Sequence, residues 1–149
     1  MTTAMRSLAF CLALAAAPLA CQGEWFTLSD KDDRPDERVQ VDPSSITTNG
    51  QTRTVQLRVS RNSALRAANG ALFRAYEGTA SVDCVARIAS YDRLAYYARG
   101  DFTGTPVYQR SFGAQELRPA ALDSLRPELA ERVMRAACRV RPSESNATG

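Results

Sequence analysis

Histidine is absent from this 149-residue chain, and lysine occurs once, as Lys31. Without an imidazole, neither a Ser-His-Asp nor a Cys-His nucleophilic site can be assembled. No glycine-rich phosphate loop or dinucleotide fingerprint occurs. The four cysteines form no CxxC pair, so zinc would need carboxylates beside thiolates. Past residue 23 no run is apolar enough to cross a bilayer. Asp30, Asp32 and Asp33 cluster, but the loop glycine and closing glutamate of a calcium loop are missing, and Lys31 and Arg34 neutralise the segment. It reads as a solvated loop. Asp83 and Asp92 could act as a carboxylate pair only if they faced one cleft; Asp83 reads instead as a surface strand residue with Arg87 as candidate partner. These absences predict a chain with no catalytic residues, no metal and no cofactor.

What the chain has in excess is arginine, with 18 residues for a formal charge of +3. The charge is mild and spread out, so it tolerates an acidic partner without demanding one. Arg6 followed by the apolar residues 8–17 has the form of a secretory signal, with cleavage expected between Cys21 and Trp25. Pro18-Leu19-Ala20-Cys21 is a weak lipidation signal, which makes Cys21 a candidate lipid-bearing residue. The expectation is an exported chain, in the periplasm or on the outer-membrane surface, membrane-attached only if Cys21 is lipidated. Cys11 leaves with the signal, and export then favours a disulfide between Cys84 and Cys138. Such a bridge closes a loop of about 54 residues and stabilises by about 4 kcal/mol in the chain-entropy model. Two free thiols and a metal site are the competing readings.

Three segments follow: residues 1–23 as signal, 24–139 as one domain, and 140–149 as a disordered tail. Residues 24–29 read as a first strand with Trp25 or Phe26 anchored in the core. Residues 39–42 read as a second strand, followed by one helical turn at 43–46 capped by Asp42. Residues 52–60 alternate cleanly, with Val55, Leu57 and Val59 on one side. Residues 61–70 break that pattern, with Ser63 positioned to cap a short helical turn. Residues 72–77 read as a further strand or its approach, and Gly78 as a turn or bulge. Residues 80–97 read as one long central strand carrying Cys84, with a bulge at Tyr91-Asp92, and residues 107–112 as a last strand. Residues 117–126 are a linker. Pro127 opens a helix to Cys138 with Leu129, Val133 and Ala137 on its apolar face and its arginines toward the end, as the helix dipole favours.

Several short features in a fixed order now resemble one family. They are a tryptophan just after the signal, Val41-Asp42-Pro43-Ser44-Ser45-Ile46 with a turn at Asn49-Gly50, Asp83-Cys84 followed by Arg87, Tyr96-Tyr97 before a glycine, and a terminal helix ending in cysteine. Together they resemble the surface-adhesin protein E-like domains of bacterial exported proteins, over residues 25–138. The resemblance implies an α+β fold: a small antiparallel sheet with a C-terminal helix packed on one face and tied by the disulfide. It also implies a non-catalytic surface adhesin or protein-binding module with a protein or cell-surface partner. The alternative is a periplasmic or envelope-associated structural protein of unknown role without adhesive activity.

If the helix covers one face of the sheet, a partner must meet the other, or a flanking loop. Arg58, Arg66, Tyr96 and Tyr97 are the candidate contact residues, since arginine and tyrosine most often anchor interfaces. A stripe of Arg53, Arg58, Arg61 and Arg66 beside Tyr76, Tyr91, Tyr96 and Tyr97 has the composition of a single-strand nucleic-acid binder. Export argues against that use, and no nucleic-acid partner is expected.

Overall fold

In a computed structural model the described residues are 23–29, 36–113 and 122–139. Residues 1–22, which hold most of the expected signal and Cys21, the acidic cluster at 30–35, residues 114–121 with the first half of the expected linker, and the expected tail at 140–149 lie outside them.

The described strands form one antiparallel sheet in chain order: β1 (Phe26–Thr27), β2 (Glu37–Asn49), β3 (Thr52–Arg66), β4 (Leu72–Asp83), β5 (Ile88–Tyr97) and β6 (Tyr108–Ser111). A 3₁₀ turn (Leu122–Ser124) leads to helix α1 (Pro127–Arg139). Every connection within the sheet joins neighbours, so each strand's alternation continues across the next.

One set of cross-strand rows is apolar. Val39 pairs with Val59, Tyr76 and Tyr96; Val41 with Leu57, Gly78 and Leu94; Val55 with Ala80 and Tyr91. Leu129, Val133 and Ala137, four residues apart on α1, are fully buried with these rows, and α1 packs against β2, β3 and β4. Leu122 and Leu125 extend the same core. Burying a side chain the size of Leu57 stabilises by roughly 1.5–3 kcal/mol. Gly78 is central to this packing, because a Cβ there would lie 2.8 Å from Leu94 Cδ2 and 3.1 Å from the Arg93 carbonyl oxygen. The missing side chain lets Leu94 and Tyr91 close over the strand.

The helix starts where Pro127 supplies a fixed φ and needs no donor, with the Arg126 carbonyl accepting from the Leu129 and Ala130 amides. Its C-terminal end is tied to the sheet by a disulfide between Cys84 and Cys138, with Cα atoms 5.7 Å apart. Arg132 donates to the Leu28 carbonyl at 2.9 Å, anchoring the strand-β1 segment to the helix.

Five expectations change; one is Gly78, which lies in register within β4 opposite Leu57 and Leu94 rather than at a turn or bulge, and the other four follow. Residues 80–97 are two strands, not one: Cys84 lies in the turn between β4 and β5. Asp83 makes that turn, its carboxylate accepting from the amides of Val85 at 2.9 Å and Ala86 at 2.8 Å, and Arg87 adopts φ 54°. β-rich composition on both sides concealed a turn whose signal is a single aspartate. Arg87 then pairs with Glu131 of the helix at 3.1 Å rather than with Asp83. Second, residues 43–46 form no helical turn. Asp42 does cap, accepting from the Ser44 amide at 2.9 Å and hydroxyl at 2.6 Å, but the result is an irregularity within β2 where the register shifts between Asp42 and Thr47. Third, residues 61–66 continue β3 across another register shift, and the reversal waits for Gly70 at φ 83°. Fourth, neither Phe26, 54% exposed, nor the half-buried Trp25 belongs to the buried core. The expected irregularity at Tyr91-Asp92 is present, since the β4–β5 register shifts between Thr79 and Ala80 and skips Asp92.

Candidate functional site

The rows between the apolar ones face away from α1. Gln40 pairs with Arg58, Glu77, Ala95 and Gln109. On one side runs Arg38, Ser60, Ala75 and Tyr97; on the other Asp42, Gln56, Thr79, Arg93 and Ser111. Period-two alternation alone produces this polar face, because each strand has spent its apolar positions on the helix side.

Two aromatic residues lean over it from outside the sheet's central strands. Arg58 Cζ lies 4.3 Å from the centre of the Trp25 ring and 4.9 Å from that of Phe102. Arg58 Nε donates to Gln40 Oε1 at 2.8 Å, fixing the plane of the guanidinium between the rings. Stacking of this kind is worth about 0.5–2 kcal/mol. Burial lowers the Arg58 pKa, and the neighbouring Glu77 carboxylate works against that shift. Among the described residues, the terminal nitrogens of Arg58 donate to no protein acceptor.

Phe102 is delivered by the loop between β5 and β6. Asp101 holds that loop, accepting from the Thr103 amide at 3.2 Å, the Thr103 hydroxyl at 2.7 Å and Arg99 Nη2 at 2.8 Å. These bonds, that from Thr103 first, hold the Asp101 carboxyl below its ordinary pKa. Phe102 sits at φ 62°, a conformation non-glycine residues seldom adopt. Arg99 and Asp101 are thereby engaged with each other.

Between Trp25 and this loop lies a cleft of about 410 Å³. Trp25, Gln56, Glu77, Arg93, Tyr97 and Gln109 line it. The Tyr97 hydroxyl donates to Glu77 Oε2 at 3.1 Å; burial first, and then the Glu77 charge, raises the Tyr97 pKa. Arg93 has no carboxylate within ion-pairing distance among the described residues.

The candidate contact residues named from the sequence separate. Arg58 and Tyr97 share the polar face. Tyr96, one residue away, points to the opposite side, its ring centre 4.8 Å from that of Phe73, 5.8 Å from Tyr76 and 5.4 Å from Tyr108. Arg66 ends β3 and donates to the Gly70 carbonyl at 3.1 Å, bracing the hairpin. The arginine stripe does not form. Arg53 pairs with Val82 in register, and Arg61 bonds Glu37 at 3.0 Å and the Ser124 carbonyl at 3.0 Å on the helix side. Tyr76 and Tyr91 are buried and hydroxyl-bonded to each other at 3.1 Å, so neither ring is available for base stacking. Asp83 and Asp92 do not meet at the cleft: the first caps a turn and the second accepts from Ser81 Oγ at 2.7 Å. Among the described residues no group of three or more metal-ligating side chains gathers, and no helix is long and apolar enough to cross a membrane.

Sequence reasoning missed Trp25, Phe102, Glu77, Arg93, Gln56 and Gln109 as one constellation. Gln56 carried a signal, as a polar member of the cleanest alternating strand. Hydrophobicity marks Trp25 or Phe26 for the core, and Phe102 lies in a turn whose fold-back depends on the Asp101 bonds.

The family model described as surface-adhesin protein E matches residues 25–139, and the chain belongs to that family. Among solved structures, that of Haemophilus influenzae protein E is similar at 13% identity and a TM-score of 0.40, covering 78% of this chain and 98% of that one. No curated protein matches the sequence.

Proposed function

We propose, from membership of the surface-adhesin protein E family, that this chain is an exported, non-catalytic binding module acting at the bacterial envelope, and that its contact surface is the helix-free face of the sheet. One observation carries the choice of face. Arg58 is clamped between Trp25 and Phe102, and among the described residues its terminal nitrogens meet no acceptor and no helix covers the adjoining cleft. Ordered aromatic and arginine side chains that need no rearrangement on contact are the usual anchors of protein surfaces. Arg58 and Tyr97 belong to this surface, while Arg66 and Tyr96 serve the hairpin and the aromatic cluster.

The N-terminal segment supports delivery to the periplasm or the outer-membrane surface, with Cys21 the attachment point if it is acylated. Mass analysis of protein recovered from cells should show removal of residues 8–17; their retention contradicts export. The binding reading is tested on intact cells. Cells making the chain should adhere to host-cell or matrix-coated surfaces more than deletion cells do, and Arg58→Glu should reduce that difference. Equal adhesion with and without the chain points instead to a structural envelope role.

A further inference from the structure

We propose that the cleft beside Trp25 takes an acidic sugar residue at the end of a glycan chain. The proposal rests on the helix-free face being the contact surface, and it names the chemistry that face selects. The cleft's volume of about 410 Å³ is that of a small-molecule site. Its floor is the middle of the sheet, strands β3 to β5, where main-chain groups are already paired on both sides. An extended peptide recognised through its backbone finds no partner there. What the cleft offers is side chains. Gln56 and Gln109 each present an amide that donates and accepts, with no protein side-chain bond among the described residues. Glu77 accepts, and Thr79 and the Tyr97 hydroxyl add further polar atoms. That mixture suits the hydroxyls of a pyranose, each a donor and an acceptor at once.

Two features set the remaining specificity. Among the described residues Arg93 reaches the cleft without a counter-ion, so its planar fork is available to a carboxylate. Among the described residues the face carries Arg38, Arg58 and Arg93 against Glu77 and Asp42, so the local field favours an anion. Trp25 forms a wall against which the apolar C–H face of a sugar can lie. Arg58 is a positioning residue: stacked on Trp25 and bonded to Gln40, it holds the indole in place.

Trp25 is the single tryptophan, so its fluorescence reports on the cleft directly. The test titrates the secreted chain with methyl β-glucuronide, with sodium glucuronate, and with methyl β-glucoside and a glutamate-rich peptide, all at matched sodium acetate. The expected result is a saturable change with the methyl glucuronide, in the millimolar range usual for one sugar, and about tenfold weaker binding of the glucoside. Arg93→Gln should remove the preference of acid over neutral sugar while leaving the melting temperature unchanged. Gln56→Ala should weaken both sugars, which gives a second variant independent of charge. No saturable response to the glucuronide overturns the proposal, and so does a response to free glucuronate alone or to the peptide alone. Adhesion of intact cells that survives such a failure leaves the binding-module reading standing and removes only the sugar.

Discussion

The two faces of the sheet are built from the same strands and behave as different materials. On the helix side, Val and Leu side chains with Tyr76 and Tyr91 are sealed beneath α1 and the 3₁₀ turn with near-zero exposure. On the other side, Arg58, Glu77, Arg93 and their neighbours meet water, two aromatic residues and a loop. The first face is intolerant of lost volume and of charge developed within it. The second tolerates lost volume and is governed by charge. Moving one residue along a strand exchanges one regime for the other, as Tyr96 and Tyr97 show.

The strongest way to break that contrast is to empty the sealed face. Leu57→Ala or Leu129→Ala should cost about 2–5 kcal/mol, read as a lower denaturant midpoint. A loss below about 1 kcal/mol would mean the helix does not seal that face. The helix is also stapled there, so Cys84→Ser should destabilise by about 2–5 kcal/mol. Non-reducing mass analysis of the wild-type chain should show Cys84 joined to Cys138.

A smaller effect on the sealed face is read by pH. Burial raises the pKa of Tyr76, and raises that of Tyr91 further, above the ordinary value of 10.0. A phenol whose folded pKa is raised binds its proton more tightly in the folded state. Its contribution is therefore complete below the unfolded pKa and is lost as pH rises toward the folded value. Thermal melts should hold steady through neutrality and fall in alkali above about pH 10. Tyr91→Phe should reduce that alkaline fall while costing about 1 kcal/mol at neutral pH for the lost hydroxyl bond. An alkaline profile unchanged by the substitution would separate Tyr91 from the transition.

The open face should yield the smallest change in stability. Arg58→Gln removes the stack on Trp25 and Phe102, worth about 0.5–2 kcal/mol, yet should shift the tryptophan emission because the indole loses its partner. A multi-kilocalorie loss would show that this face is also structural. Arg87→Ala should be smaller still, at about 0–1 kcal/mol, because the Arg87–Glu131 pair is mostly solvated.

The contrast was partly legible in the chain. Val55, Leu57 and Val59 named one face, and Leu129, Val133 and Ala137 named the element that covers it, because periods of two and four are local properties. The cleft was not legible. Trp25 and Arg58 are far apart in sequence, and hydrophobicity alone sends a tryptophan inward. The break at residues 84–87 was hidden for a related reason: an aspartate that caps a turn and one that faces water from a strand look alike until the amides it bonds are seen.

Composition and pattern by themselves determined the absence of imidazole chemistry, the amphipathic helix, the alternating strands and the pair of cysteines left to the domain. Each follows from residue type or short-range spacing, which the chain carries wherever it goes. The tertiary structure alone decided that β2 to β5 align in a register that sets Gln40, Arg58, Glu77, Ala95 and Gln109 in one row, that Phe102 folds back over it, and that Trp25 lies on Arg58 rather than in the core. Those contacts join residues distant in sequence, and their geometry exists only once the helix has claimed the opposite face and fixed the strands that carry them.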